Sequence, residues 1–153
     1  MAIAVEDIKK LREKTGAGIA DCRKALEEAK GDFKKAEELL KSWGIDKAAS
    51  KSDRVVGAGL VETYIHSGGK VGSMVEINCE TDFVARTDEF KSLAHEVAMQ
   101  VAAMDPKDVE DLKKEDYIRD SSKTIEGLVK ETVAKVGENI QIKRFMRFEL
   151  GSE

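Results

Sequence analysis

The sequence has 153 residues, of which 41% are hydrophobic and 37% are charged. This balance is typical of a folded protein with a well-solvated surface, and it excludes disordered and membrane-embedded chains. The formal net charge of -4 argues against broad, sequence-independent binding of nucleic acid, which depends on clustered Lys and Arg. No apolar run approaches the roughly 20 residues that cross a bilayer, and the start lacks an apolar signal region. We therefore expect a cytoplasmic protein without membrane or direct nucleic-acid partners.

The first third of the sequence predicts three short helices. Apolar residues recur at helical spacing over residues 5–14, after which two glycines interrupt the pattern. A second apolar stripe covers residues 19–31 and a third covers residues 32–44, each ending at a glycine. We interpret residues 1–45 as a small three-helix bundle.

The apolar stripe disappears after the bundle. Residues 46–56 spread basic residues among small and polar ones, which is typical of a linker between folded units. Beyond it, Val61, Thr63 and Ile65 alternate with polar or amphipathic residues, and a period of two resumes over residues 71–77. The turn sequence 67–70, Ser-Gly-Gly-Lys, lies between them, so we predict a β-hairpin.

The remaining elements complete a second predicted domain, residues 57–153. Helical periodicity over residues 90–102 and 125–136 predicts two helices, and the polar stretch 107–123 between them is expected to be partly helical. Alternation over residues 140–150 predicts a last strand. The order ββααβ indicates an α+β fold, a two-layer sandwich with a three-stranded antiparallel sheet.

The last strand has an irregular pattern. Arg144 falls on its otherwise apolar face and Phe145 on its polar face. Either both faces of the strand meet other protein surfaces, or the strand carries a bulge. A long edge strand with apolar side chains needs cover, which makes it a candidate for association between chains.

The residues that most often carry chemistry do not form a recognisable site. Cys22 and Cys79 are far apart, and neither forms a short-spaced pair with the other or with His66 or His95, as zinc sites require. Neither cysteine lies in a nucleophile turn, so we interpret both as buried free thiols. The turn at residues 67–70 precedes a strand rather than a helix, unlike a phosphate-binding loop. We predict no catalytic residue, no metal site and no cofactor.

One turn nevertheless stands out, because Asp82 lies beside the large aromatic Phe83 between a strand and a long helix. In one interpretation Asp82 organises the turn through the backbone while Phe83 packs beneath it. In the other, both side chains face a partner. Periodicity alone favours the first interpretation.

Three motifs in this chain resemble those of the elongation factor Ts family. They are Thr81-Asp82-Phe83-Val84, the run Leu-Arg-Glu-Lys-Thr-Gly-Ala-Gly at residues 11–18, and Gly-Glu-Asn-Ile at residues 137–140. The resemblance extends over nearly the whole chain. It implies a non-enzymatic guanine-nucleotide exchange factor that binds elongation factor Tu with GDP, dislodges Mg²⁺ and promotes GDP release, so that GTP can bind.

The resemblance also implies roles for particular residues. The bundle is similar to a ubiquitin-associated domain that docks on the nucleotide-binding domain of elongation factor Tu, through positions that match Leu11, Ile19 and Ala20. The turn implicated in dislodging Mg²⁺ matches Thr81, Asp82, Phe83 and Val84, with the aromatic wedged between partner helices. An adaptor module of the ubiquitin-associated type, without exchange activity, is the alternative interpretation.

The chain departs from the family pattern in three places. Longer members have a second copy of the core and a coiled coil, whereas this chain has one copy, and we interpret residues 107–135 as abridged even relative to short members. Ile19 and Ala20 replace a bulkier apolar pair. Short members are similar in using a homodimer, which we expect here on the strand 140–150. Where such a member can carry an interface cysteine, this chain has Met146, so the association is expected to be non-covalent.

Overall fold

A computed structural model describes residues 2–152 of the chain. Met1 and Glu153, the outer ends of the two predicted domains, lie outside the described residues. The elements in chain order are α1 (Val5–Thr15), α2 (Ile19–Glu28), α3 (Phe33–Ser50), β1 (Ala58–Ile65), β2 (Val71–Cys79), α4 (Asp82–Ala85), α5 (Asp88–Met104), α6 (Val109–Lys114), β3 (Asp116–Tyr117), β4 (Asp120–Thr124), α7 (Ile125–Val136) and β5 (Ile140–Glu149). Among these helices, none combines the length and the apolar character that a membrane span needs.

The first three helices enclose a small core of their own. Gly16 adopts a left-handed conformation, with φ of 70°, and its N–H donates to the Arg12 carbonyl, so α1 ends where the glycines predicted. Asp32 caps α3 by accepting a hydrogen bond from the Lys35 N–H. The core consists of Leu11, Cys22, Ala25, Leu26, Ala29, Ala36 and Leu40.

The third helix corrects the predicted end at Gly44. It continues to Ser50, so the first half of the predicted linker 46–56 is helical. A Cβ atom added to Gly44 would lie 2.9 Å from the Cβ of Ala134 in α7, closer than real carbon contacts. Gly44 therefore allows two helices to approach closely rather than ending one of them. The domain boundary in this region stays a prediction.

Three antiparallel strands form the main sheet in the order β1-β2-β5, which confirms the predicted α+β fold and its three-stranded sheet. Helix α5 packs across all three strands, and α7 packs beside it. The main core lies between these helices and the sheet and is built around Val75, Ile77, Phe90, Val97, Val101 and Ile142. The Ser-Gly-Gly-Lys turn closes the β1–β2 hairpin, with both glycines at positive φ, as expected.

A β-bulge interrupts the pairing of β5 with β2. Arg144 pairs with Glu76, whereas Ile142 pairs with the next residue, Ile77, so Lys143 is the extra residue on β5. This confirms the bulge, one of the two explanations left open for the irregular pattern. Because a shift of one residue exchanges the two faces of a strand, the bulge reverses the direction of every later side chain in β5.

The reversal creates an exposed apolar surface on the side of the sheet away from the helices. Phe145 packs against the main core, while the side chains of Met146 and Phe148 point outward. In β1 it is Tyr64 that packs against the core, whereas the apolar Val61 and Ile65 are exposed. We call this surface the open sheet face; its exposed large apolar residues are Val61, Ile65, Met74, Met146, Phe148 and Leu150.

The polar stretch 107–123 is partly helical, as predicted, because it contains α6. It also contains most of the short hairpin of β3 and β4, which the sequence did not indicate. Gln100 is fully buried and holds this hairpin: its Nε2 donates to the Asp116 carbonyl and its Oε1 accepts from the Ile118 N–H, both at 3.0 Å. Tyr117 donates to a carboxylate oxygen of Glu96 at 2.6 Å, and burial together with this acceptor raises the pKa of Tyr117 to about 12.

Candidate functional site: a partner-binding turn

The turn between β2 and α5 is fixed by two hydrogen bonds from one residue. The Thr81 N–H donates to Glu138 Oε1 at 2.9 Å, and the Thr81 hydroxyl donates to Glu138 Oε2 at 2.7 Å. The same hydroxyl oxygen accepts a longer bond, 3.5 Å, from the Val84 N–H and so caps α4. Glu138 thus connects the end of α7 to the start of the four-residue helix α4.

The side chains of this turn point in opposite directions. Val84 is only 8% exposed and belongs to the main core, whereas Phe83 is 84% exposed. The interpretation in which Phe83 packs beneath the turn is therefore wrong. Asp82 is also exposed, and within residues 2–152 its carboxylate has neither a hydrogen bond nor an ion pair. Thr81, not Asp82, organises the turn.

The residue after Glu138 fastens the same region to the chain that leaves α3. The Asn139 N–H donates to the Glu80 carboxylate at 3.2 Å, and the Asn139 side-chain amide donates to the carbonyls of Ser52, at 3.2 Å, and Arg54, at 2.9 Å. Arg54 and Glu80 also form an ion pair at 3.7 Å. Asn139 is 4% exposed, so these bonds satisfy a polar side chain that burial would otherwise destabilise.

The cysteines are buried thiols, as predicted. Cys79 donates from Sγ to the Thr81 carbonyl at 3.2 Å, and burial, with a smaller effect of nearby Glu138, raises its pKa. Burial likewise raises the pKa of Cys22, whose Sγ lies 3.7 Å from the Ala17 carbonyl oxygen. Raised pKa values keep both thiols protonated, which makes them poor nucleophiles and poor metal ligands.

The two histidines meet at an aromatic ring rather than at a thiol. Nδ1 of His66 lies 3.1 Å from the Tyr64 hydroxyl oxygen, and the ring of His95 meets the Tyr64 ring edge-on with centroids 5.8 Å apart. In the part of the chain that the structure describes, no group of three His, Cys, Asp or Glu side chains has the arrangement of a metal site. The prominent features are therefore the exposed Phe83 turn and the open sheet face, two places where large apolar side chains are exposed.

Comparison with known proteins agrees with the motifs. Residues 80–153 match the sequence family described as Elongation factor TS. A protein named elongation factor Ts from Thermoanaerobacter sp. (strain X514) is 43% identical over 194 aligned positions, which cover 97% of this chain and 95% of that protein. This chain belongs to the elongation factor Ts family.

Other relatives show how the length of this family member differs. Elongation factor Ts of Nostoc sp. (strain PCC 7120) is 49% identical over 148 positions, which cover 97% of this chain but 47% of that protein. Elongation factor Ts of Thermotoga neapolitana is 41% identical over 196 positions, covering both chains completely. Because this chain has 153 residues, the longer alignments contain positions at which it has no residue. Its described residues, 2–152, form one three-stranded sheet.

The residues predicted to dock the bundle on a partner differ in exposure. Ile19 is 59% exposed at the start of α2, and Ala20 beside it is exposed. Leu11 is fully buried in the bundle core, so in this conformation its side chain is not at the surface, and its contact with a partner stays a prediction. It lies inside the core of the bundle that carries α2. The docking roles of Ile19 and Ala20 stay predictions.

Sequence reasoning did not find the contact between Glu138 and Thr81. These residues lie 57 positions apart in different elements, and no local periodicity relates them. The available signal was the motif at residues 137–140, which carried part of the family resemblance but had no assigned role. In this elongation factor Ts, that motif supports the motif at residues 81–84.

Proposed function

We propose that this chain is a guanine-nucleotide exchange factor of translation elongation. It binds elongation factor Tu loaded with GDP, dislodges Mg²⁺ and promotes GDP release, so that GTP can bind. Family membership supports this function, and the observation that carries it is Phe83, a large aromatic side chain that is 84% exposed on a hydrogen-bonded turn. The factor makes and breaks no covalent bond in its partner and uses no cofactor, so it is not an enzyme.

An exposed aromatic on a fixed turn is suited to act as a wedge. Burial of a Phe side chain stabilises a complex by about 1.5–3 kcal/mol. The turn needs little ordering when it binds, because Thr81 is held by Glu138 and Val84 is anchored in the main core. The binding free energy of Phe83 is therefore available to separate elements of the partner.

An exchange factor acts by binding the nucleotide-free conformation of its partner better than the loaded one. The coupling is reciprocal: if the factor weakens nucleotide binding a thousandfold, nucleotide weakens factor binding by the same ratio, which requires roughly 4 kcal/mol. In our proposal Phe83 inserts between partner helices beneath the Mg²⁺ and phosphate site and supplies much of this difference. Asp82 pairs with a donor of the partner.

The bundle supplies binding area that sustains the strained complex. The exposed pair Ile19 and Ala20 lies at the start of α2, where three short helices resemble a ubiquitin-associated domain. We propose that this end of the bundle docks on the nucleotide-binding domain of elongation factor Tu. Because Ala20 is small, the apolar area that it contributes is also small.

We further propose that the working form is a homodimer that buries the open sheet face. Five of the six large apolar side chains of that face, all except Val61, border a groove of about 550 Å³. An apolar sheet face that lacks a second layer is covered when two sheets pack together at about 10 Å. Met146 lies on this face, and both cysteines are buried elsewhere, so the contact is non-covalent.

The release of fluorescent GDP from elongation factor Tu tests this function. Adding the chain at micromolar concentration should accelerate release strongly, in proportion to the amount of complex formed. The alternative, an adaptor of the ubiquitin-associated type, predicts binding to a partner without a change in nucleotide release. Absence of both binding and acceleration would overturn the proposed function.

A further inference from the structure

We propose that Glu138 is a positioning residue for exchange: it holds the Thr81 turn in the one arrangement that presents Phe83 to the partner. This inference rests on the exchange function proposed above. Glu138 itself lies outside the turn, and among residues 2–152 its hydrogen bonds to the turn both come from Thr81.

Helix α4 needs an external support because it is too short to be stable by itself. It has four residues, and a helix of this length gains too few hydrogen bonds to offset the entropy of its first turn. Its cap is the Thr81 hydroxyl, which must present a lone pair to the Val84 N–H. By accepting the proton of that hydroxyl at 2.7 Å, Glu138 fixes the rotation that leaves the lone pair in place.

Both bonds from Thr81 go to a carboxylate, which makes them charge-assisted. Such hydrogen bonds contribute roughly twice as much as bonds between neutral groups. The second bond, from the Thr81 N–H at 2.9 Å, fixes the backbone immediately before Asp82 and Phe83. Glu138 therefore controls both the entry of the chain into the turn and the cap of α4.

Glu138 is itself held by rigid elements on either side. Gly137 ends α7 in a left-handed conformation, with φ of 77°, and donates to the Val133 carbonyl at 2.8 Å. Ile140, two residues after Glu138, is buried and pairs with Cys79 of β2. With a helix end before it and a strand start after it, the carboxylate has little freedom to leave Thr81.

The same connection also fixes the chain that leaves the bundle. Asn139 donates to the carbonyls of Ser52 and Arg54, just beyond α3, and its backbone N–H donates to Glu80, the neighbour of Thr81. Residues 137–139 therefore touch both the wedge turn and the exit from the bundle. Glu138 therefore holds Phe83 in a fixed position relative to the chain that leaves the bundle.

Loss of the support from Glu138 should reduce the acceleration of GDP release more than it reduces the affinity for the partner. Without Glu138 the turn samples other arrangements, and only the competent fraction places Phe83 correctly, which lowers apparent activity by that fraction. We expect Glu138→Ala to lower the maximal rate of stimulated GDP release about tenfold, the scale of losing hydrogen bonds to a charged group. The half-saturating concentration should change less than about twofold.

The maximal rate and the half-saturating concentration together distinguish a positioning role of Glu138 from a merely structural one. A variant that only loses folded protein needs a higher concentration for half-saturation but reaches the same maximal rate. Glu110→Ala is a matched control, because Glu110 is exposed and its carboxylate pairs only with Lys113 on the same helix at 3.2 Å. The control should match the unaltered chain in both quantities. A maximal rate unchanged in Glu138→Ala would overturn the inference.

Conservative variants test whether hydrogen bonding is the cause. Glu138→Gln retains the length and one acceptor oxygen, so the maximal rate should recover to within about threefold of the unaltered chain. If circular dichroism shows that Glu138→Ala is unfolded, Glu138→Asp, which keeps the charge but is shorter by one methylene, takes its place with the same expected loss. A Gln variant as slow as Ala would overturn the hydrogen-bonding role.

A double-mutant cycle with Thr81→Val tests the contact itself. Valine removes the hydroxyl that bonds to Glu138, so the double variant should be no slower than the slower single variant. Losses that multiply would mean that the two residues act separately, which contradicts the inference. Should the unaltered chain fail to accelerate GDP release from elongation factor Tu, the proposed function and this inference both fall.

Discussion

The carboxylate of Glu138 accepts the backbone N–H and the hydroxyl of Thr81, at 2.9 and 2.7 Å, across 57 positions of the sequence. The end of α7 thereby determines the shape of a turn that follows β2. Phe83, two residues after Thr81, is 84% exposed, although the backbone beneath it is anchored by the buried Val84 and Ala85. A rigid base and an exposed aromatic tip are the two properties that a wedge between partner elements requires.

The close contact between α3 and α7 predicts opposite effects of alanine at two helical glycines. A Cβ atom at Gly44 would lie 2.9 Å from that of Ala134, whereas a Cβ at Gly127 meets its nearest atom at 3.5 Å, an ordinary contact. Gly127→Ala should stabilise the protein by up to about 1 kcal/mol through helix propensity. Gly44→Ala should be destabilising by about 1 kcal/mol, because forcing the helices apart outweighs that gain.

Denaturant unfolding of both glycine variants measures these effects. Equal stabilisation by the two alanines would mean that α3 and α7 do not approach as closely as described. Because Gly44 lies just before the predicted domain boundary, the result also shows how firmly the bundle is attached to the core.

The open sheet face predicts that a charge placed on it dissociates the proposed dimer. Phe148→Asp should give a monomer at micromolar concentration while the unaltered chain remains a dimer, since a buried unpaired carboxylate is strongly unfavourable. Ile118→Asp is the matched control: Ile118 is also exposed but lies on the β3–β4 hairpin. Light scattering across a dilution series, with and without reductant, makes the measurement. A chain that is monomeric before any substitution contradicts the dimer.

Glu115 predicts a pH-dependent change in stability. Its Oε1 is buried and has no hydrogen-bond partner among the described residues, and burial raises its pKa above the ordinary value of 4.5. A raised pKa means that the folded state prefers the protonated acid. Well below pH 4.5 both the folded and the unfolded state are protonated and Glu115 carries no penalty; as the pH rises past 4.5, the unfolded state ionises first, so the folded state loses relative stability.

Replacement of this acid should therefore help only at higher pH. Glu115→Gln should raise the free energy of unfolding near pH 7, and the gain should vanish near pH 4. Glu110→Gln, which removes an exposed acid of α6, is the control for the substitution itself. A gain of equal size at both pH values would exclude ionisation of Glu115 as its cause.

Periodicity correctly predicted the elements whose structure depends mainly on residues close to one another in the sequence. Helix α5 and the β1–β2 hairpin lie where their apolar patterns indicated. The predicted helix end at Gly44 was wrong, because the local tendency of glycine to end a helix is outweighed there by a contact with Ala134, which is remote in sequence. The β3–β4 hairpin was missed because its strands are polar, and it depends on Gln100 rather than on its own pattern.

The candidate turn was found by its motif, but its geometry was not predictable. Sequence placed Asp82 and Phe83 in a turn; periodicity favoured an aromatic packed inward, and only the family resemblance favoured one that faces a partner. The exposure of Phe83 depends on Val84 occupying the core and on Glu138 holding Thr81, and both are long-range contacts. Likewise, the irregular pattern at Arg144 and Phe145 indicated a bulge as one alternative, and only the pairing with β2 identified Lys143 as its extra residue.

The central claim is that Phe83 drives nucleotide release, and Phe83→Ala tests it. The side chain makes little contact within its own chain, so the free energy of unfolding should change by less than about 0.5 kcal/mol. Val55→Ala is the matched control, since Val55 is 87% exposed and lies outside the turn. Both variants are to be compared with the unaltered chain by circular dichroism and by binding to elongation factor Tu.

The deciding measurement is the maximal rate of fluorescent GDP release from elongation factor Tu at saturating factor, with Mg²⁺ present and after its chelation. With Mg²⁺, Phe83→Ala should lower this rate roughly tenfold to hundredfold, the equivalent of losing one buried aromatic, while Val55→Ala leaves it unchanged. After chelation the loss should be smaller, because the wedge acts partly by displacing that ion. A Phe83→Ala variant that releases GDP as fast as the unaltered chain in Mg²⁺ would contradict the wedge mechanism.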